Sequence, residues 1–227
     1  FKFQKVDGRR LLENIRLADQ RLLAVAFAVN FITYCLCLLR WRMLLRAFNI
    51  YLPLKRVIIS FSGGIFFSSL LPSTIGGDVV RTMDLAAHTK KTKEVMTTVV
   101  LDRLSGCVAL VIVALVSLFL GWRFIHDATV LFDVAAITLL MAFVLFALFN
   151  DYVFSKISRF LQSSNAGKIR VAIKNLHEEI YYFKRHKKAL YKNLLFSLLI
   201  QLGGPISFYI TSLALGQKPG LIYFFIF

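Results

Sequence analysis

The sequence predicts an all-α fold: a polytopic helical membrane protein with a re-entrant helical hairpin and an inverted repeat. Three observations predict it. Hydrophobic residues make up 58% of the 227 positions and charged residues only 18%, whereas soluble domains carry nearer ~45–50% apolar residues. The apolar residues gather in runs of the length that crosses a bilayer, about 17–25 residues. The formal net charge of +16 comes from basic residues clustered between those runs, a pattern set by topology and anionic headgroups rather than by nucleic acid.

Four runs are long enough to span: Leu22–Leu39, Leu104–Trp122, Val130–Phe149 and Leu194–Leu215. The last contains Gly203-Gly204-Pro205, where a kink is expected. Ahead of the first, Phe1–Arg21 holds Leu11, Leu12 and Ile15 at the spacing of an interfacial amphipathic helix. A fifth run, Val57–Leu71, stops at Pro72 and is too short to cross. The segment Val57–Val80 therefore reads as a helical hairpin that enters and returns, bending near Pro72–Gly77. Proline and glycine in an apolar run mark unwound backbone at membrane depth, which is tolerated only where protein or a watery cavity covers it.

Loop charges favour the returning hairpin over a crossing one. Arg40–Arg56 holds five Lys/Arg, Arg81–Arg103 five and Asp151–Lys192 ten, against one each in Arg123–Thr129 and Gly216–Gly220. A returning hairpin puts the three rich loops on the cytoplasmic side, as the positive-inside bias wants. Phe1–Arg21 carries six Lys/Arg on the other side and runs against the scheme. In the range 151–192, two apolar stripes, Val153 to Leu161 and Ile169 to Phe183, sit among basic residues. They predict two cytoplasmic amphipathic helices that lie on the leaflet or pack against a soluble partner domain.

The first span leads to Pro53 and an apolar run, and the fourth leads to Pro219 and another. The same order in opposite orientation is the layout of an inverted repeat. The chain starts at Phe1 and ends within the run Leu221–Phe227, so it is expected to be a piece of a longer protein, truncated at both ends.

The polar residues at membrane depth are the candidate site. Ser60, Gly64 and Ser68 fall four apart on one face, a helix-packing pattern. After Pro72, Ser73 and Thr74 suit helix N-caps and Gly76-Gly77 permissive backbone. Asp78, Arg81, Asp84 and His88 then share one helical face. They read either as an internal salt-bridge ladder or as a headgroup site in which helix-start amides and Arg81 hold a phosphate. Asp78 would repel a bare phosphate, so the second reading needs a zwitterionic or aminoacylated headgroup, or an Asp78 that is already paired. Asp102-Arg103 opens the second span, and as sequence neighbours each needs a partner elsewhere; Arg103 also suits snorkelling. Asp133 is expected at an interface. Cys35, Cys37 and Cys107 all lie in apolar runs and read as small buried hydrophobes. No metal, cofactor or catalytic constellation is predicted.

In order and spacing, Arg40-Trp41-Arg42, then Leu71-Pro72 with Gly76-Gly77-Asp78 and Arg81, then Leu101-Asp102-Arg103-Leu104-Ser105-Gly106, resembles the lysylphosphatidylglycerol synthase transmembrane-domain family. The resemblance implies a flippase-like, multi-pass protein of a bacterial or archaeal cell membrane, translocating a phospholipid or lipid-linked headgroup between leaflets. The implied partners are anionic or aminoacylated phospholipids, together with a soluble transferase domain or partner. It also implies that Gly76, Gly77, Asp78, Arg81, Asp102 and Arg103 line the polar cavity. The alternative is a membrane anchor and substrate-presenting module of a lipid-modifying enzyme, of the lysylphosphatidylglycerol synthase or polyprenyl glycosyltransferase type.

Overall fold

The computed structural model describes residues 18–70, 74–121, 128–149, 187–217 and 220–226. Every regular element among them is an α-helix. In chain order they are α1 (Gln20–Ala47), α2 (Leu54–Leu70), α3 (Thr74–Thr89), α4 (Thr92–Gly121), α5 (Ala128–Phe149), α6 (Lys187–Ala214) and the short α7 (Tyr223–Ile226). Helices α1, α4 and α6 are long and apolar enough to cross a membrane. They correspond to the first, second and fourth expected spans. The third corresponds to α5, whose apolar portion among the described residues is Val134–Phe143. The side chain of Asp133, the amphipathic segment Phe1–Leu17 and the range 151–186 lie outside the described residues; Lys187–Lys192 form the start of α6.

Helix ends follow from local chemistry. The Asp19 carboxylate caps α1 by accepting from the Arg21 amide at 2.8 Å, meeting a donor that has no intrahelical partner. At the other end Asn49 turns left-handed (φ 55°), and the Ile50 amide reaches the Leu45 carbonyl at 2.9 Å. This is a Schellman end, sealed by burial of Ile50. Gly216 (φ 76°) closes α6 in the same way, with the Gln217 amide on the Ser212 carbonyl at 3.0 Å.

Two antiparallel helix pairs organise the chain. In the first, α6 runs the full length of α1: Asp19 N–H to the Ala214 carbonyl, Asn30 to Ser207, and Arg40 to Ser197. Gly203 makes the contact possible, because a Cβ there would run into the Thr33 side chain. The Gly203-Gly204-Pro205 motif stays helical within α6, and its first glycine serves helix contact. The second pair is α2 against α3. Arg56 meets Asp84 at 2.6 Å, Ser60 Oγ donates to the Arg81 carbonyl at 3.3 Å, and Gly64 faces Gly77.

That pairing corrects the reading of Gly76-Gly77 as an unwound bend. Both are helical, in the first turn of α3, which begins at Thr74. The physical reason for glycine is proximity: a Cβ on Gly77 would collide with Ser68 Oγ and the Gly64 carbonyl. The face Ser60–Gly64–Ser68 is the packing face its spacing indicates.

Lys91 Nζ donates to the Asn49 carbonyl at 3.1 Å, so the turn after α1 and the turn between α3 and α4 sit side by side. The buried core lies at this end, around Trp41, Leu44, Leu45, Val57, Phe61, Leu85, Val95 and Val99. Away from it, large apolar side chains such as Phe27, Phe31, Phe119 and Leu139 are exposed, as they are where lipid replaces a protein neighbour.

Gly77 and Gly63 give a paired stability prediction. Gly77→Ala forces α2 and α3 apart and should cost about 1–3 kcal/mol, the usual penalty for overpacking. Gly63 has nothing within 4 Å of a built Cβ, so Gly63→Ala should be neutral or stabilising by up to ~1 kcal/mol through helix propensity. Thermal unfolding in detergent micelles reads both; equal effects would refute the close-contact role of Gly77.

Candidate functional site

Asp102, on α4, is the centre of a charge network that joins four helices. Its Oδ1 lies 2.8 Å from Arg40 Nε on α1, a charge contact whose N–H direction is off the line of a hydrogen bond. Its Oδ2 accepts from Arg81 Nη2 on α3 at 3.2 Å. Arg40 Nη1 donates to Ser197 Oγ on α6 at 2.8 Å, and that hydroxyl donates to the Asn193 carbonyl. Arg81 also reaches Asp78 Oδ1, one turn earlier on its own helix, at 3.1 Å. Asp78 in turn holds Arg103 through two oxygens, Nε at 2.7 Å and Nη2 at 3.0 Å. This is the planar fork that a guanidinium makes with a carboxylate.

Burial grades along the network. Arg40, Arg81 and Asp102 are buried, and the Arg81 guanidinium lies over the Trp41 ring at 4.9 Å and near Phe61 at 5.8 Å. Cation–π contact of this kind offsets part of the cost of desolvating the charge. The Arg103 side chain, by contrast, is 54% exposed. Three guanidiniums and two carboxylates leave one positive charge in excess, and the exposed end is where it can be met.

That end opens on a groove between α3 and α4 with a cavity volume of about 460 Å³. Val79, Met83, Met96, Val99, Val100 and Leu104 form its apolar walls, with Thr82 and Cys107 beside them, and Asp78 and Arg103 are its charged residues. Along the helices, Asp78 and Arg103 each stand about 18 Å from the Lys90–Lys91 turn at ~1.5 Å per residue. Both therefore lie at one level, with the apolar walls running from them towards the turn.

Of the six residues singled out from sequence, Asp78 and Arg103 face the groove. Arg81 and Asp102 stand behind them as the buried part of the network, and Gly77 serves the α2–α3 contact, with Gly76 beside it in the same helical turn. The proposed ladder on α3 divides: Asp78 pairs with Arg81, Asp84 crosses to Arg56, and His88 is exposed at the helix end. Asp102 and Arg103 do find partners elsewhere, as adjacent helical residues must. Sequence reasoning missed Arg40 and Ser197. Arg40 looks like the first loop cation after a span, but α1 continues to Ala47 and carries it inside. The signal was available in the adjoining Trp41, since an arginine flanked by apolar residues within a helix period belongs to a packed face as readily as to a loop.

Breaking the network has a graded cost. Asp102→Ala strips both buried arginines of their shared counter-charge and should destabilise by about 3–5 kcal/mol, as removal of one partner of a buried pair does. Arg103→Ala, at the exposed end, should cost under ~1 kcal/mol. Chemical unfolding of the two variants in micelles checks the ranking, and a reversed order would refute the burial gradient.

The family profile described as lysylphosphatidylglycerol synthase TM region matches residues 1–227, the whole chain. No curated protein and no solved structure matches it. The fold gathers Arg40, Asp78, Arg81, Asp102 and Arg103 into one network, and the family match covers the whole length: the chain belongs to the lysylphosphatidylglycerol synthase transmembrane-region family, membrane proteins related to lipid modification or transport.

Proposed function

We propose that this chain is a flippase-like lipid transporter that moves a phospholipid or lipid-linked headgroup between the leaflets of a cell membrane. The observation that carries the proposal is the juxtaposition of a charged pair, Asp78 and Arg103, with an apolar groove at one level of two helices. A lipid in transit needs both: a polar anchor for its headgroup inside the membrane, and an apolar surface for its chains. Charged groups at such depth are expensive and mark substrate pathways.

Several features support the accompanying topology. Helices α2 and α3 have 17 and 16 residues, about 26 and 24 Å at 1.5 Å per residue, short of a hydrocarbon core of about 30 Å. The Lys91–Asn49 contact brings the chain back to the end it left, which supports a re-entrant hairpin. Arg42, Arg46, Lys55, Lys90, Lys91 and Lys93 lie at or near that end, which supports placing it in the cytoplasm. On this placement the Asp78–Arg103 pair sits near the bilayer midplane, where transporter sites built on inverted repeats lie. Helices α1 and α6, each of 28 residues, pack antiparallel end to end and are both followed by a proline, Pro53 and Pro219. That order supports an inverted repeat.

A second reading, an anchor that presents lipid to a transferase, draws its support from the word synthase in the family description. Reconstitution of this chain alone in proteoliposomes separates the two. Leaflet accessibility of a labelled phospholipid should change faster with the chain than without it, and Asp78→Asn and Arg81→Ala should slow that exchange at least tenfold. If the wild type moves no lipid, the anchor reading stands; if both variants match the wild type, the site is misplaced. Cysteines placed at Lys55 and Lys90 should react with an impermeant label from the same side, and labelling from opposite sides would rule out the re-entrant hairpin.

A further inference from the structure

We propose that Trp41 is a positioning residue of the site. Its ring, with Phe61 beside it, holds the Arg81 guanidinium in the pose that ties Asp78 to Asp102, and so sets how Asp78 is presented to Arg103 in the groove. The part this plays in moving lipid rests on the transport reading; the geometry does not.

Arg81 sits between its two acids in a pose that needs holding. A guanidinium with a free choice makes a planar fork on one carboxylate. Arg103 does so on Asp78, through Nε at 2.7 Å and Nη2 at 3.0 Å. Arg81 does not. Its Nη2 makes the ion-pair contact to both acids, Asp78 Oδ1 at 3.1 Å and Asp102 Oδ2 at 3.2 Å, while its Nε is buried and makes no hydrogen bond. A pivot that brought Nε onto either carboxylate would complete a fork there and release the other acid.

Two helices oppose that pivot. From α1, the Trp41 ring lies 4.9 Å from the guanidinium carbon, and from α2 the Phe61 ring lies at 5.8 Å. The two rings are themselves stacked, 5.8 Å apart at a tilt of 37°, and both are buried. The arginine stem runs across Gly64 of α2, where a built Cβ would stand 3.2 Å from the Arg81 Cβ and 3.3 Å from its Cδ. Gly64 therefore guides the stem by shape, and Trp41 holds the head by charge. A leucine in place of Trp41 would fill part of the same space, but only an aromatic face attracts a cation.

Trp41 does not line the groove; it reaches the charged pair through Arg81. Were Arg81 to fork onto Asp102, Asp78 would keep Arg103 alone. Were it to fork onto Asp78, Asp102 would keep Arg40 alone. Either change alters the Asp78–Arg103 pair with no groove residue replaced.

The test reads the indole directly. With Trp122→Phe, Trp41 is the one tryptophan left, and its emission responds to the cation over its ring. In the purified chain in micelles, Asp78→Asn frees Arg81 from one of its acids and should shift that emission. In an Arg81→Met background the same Asp78 change should lose most of the shift. No shift, or an equal shift without Arg81, overturns the assignment. Lipid exchange in proteoliposomes is the second measurement, on variants shown by thermal unfolding to be folded. Trp41→Leu should slow exchange by about 2- to 30-fold, the span of a desolvated cation–π contact, and Trp41→Phe, which keeps a π face, should recover most of that loss. Equal slowing by leucine and phenylalanine would assign Trp41 to packing and overturn the inference. The emission response without any exchange by the wild type would refute transport alone, and exchange without the emission response would refute this inference alone.

Discussion

Asp102 is the residue on which the arrangement of this chain depends. It stands where α1, α3 and α4 converge, with α6 joined through Arg40, and it is the shared counter-charge of the two buried arginines. Apolar packing alone lets helices slide and rotate, because one leucine contact in lipid resembles another. A buried carboxylate with two guanidinium partners fixes the register and rotation of three helices at once. The net energetic gain of such a cluster is small, since desolvation offsets most of the Coulomb attraction. Its contribution is to make one packing arrangement far better than its neighbours, for any displacement leaves a charge in hydrocarbon without a partner.

Around that point the chain combines two kinds of interior. Near the turns of α1, α3 and α4, Trp41, Leu44, Leu45, Leu85 and Val95 are packed as in a soluble core. Further from the turns, close contacts come from small residues: Gly77 against Gly64 and Ser68, and Gly203 against Thr33. The division is physical. Near the water the hydrophobic effect assembles large side chains, whereas in lipid there is no such drive between helices and close backbone approach takes over. The hairpin α2–α3 uses both: Val57 and Phe61 lie in the core near its base, and Gly64 and Gly77 touch nearer its tip.

The all-helical, membrane-bound character was legible in composition and run length, and the spans corresponding to α1, α4 and α6 were found to within a helix turn or two at their apolar ends. Their polar extensions were not. Helix α4 begins at Thr92 rather than Leu104, and α1 continues to Ala47 rather than Leu39, because a hydropathy run ends at the first cation while a helix ends at a cap. That difference hid Arg40. The motif residues Asp78, Arg81, Asp102 and Arg103 were legible as a set, since charges in or next to apolar runs are conspicuous. The Asp78–Arg81 pair within one helix was legible from its spacing, but the pairing between helices was not, because partner choice there is decided by helix rotation: Asp102 could reach Arg40 only once α1 and α4 were known to pack. Gly77 was legible as unusual but misread. Glycine serves left-handed backbone and close contact alike, and sequence alone does not separate the two.

A fixed network and an open groove are reconciled by where the buried part of the network ends. Arg40, Asp102 and Arg81 are held by aromatic stacking, a serine hydroxyl and one another, and none of them lines the groove. Asp78 and Arg103 do, joined by a two-oxygen fork, with Asp78 also tied to the buried Arg81 behind it. The same chain of alternating charges is thus enclosed among helices on one side and open to the groove on the other. Had the order been reversed, with an unpaired carboxylate outermost, the groove would repel phosphate and favour cations. The direction in which the charges alternate, arginine outermost, decides what chemistry the groove presents.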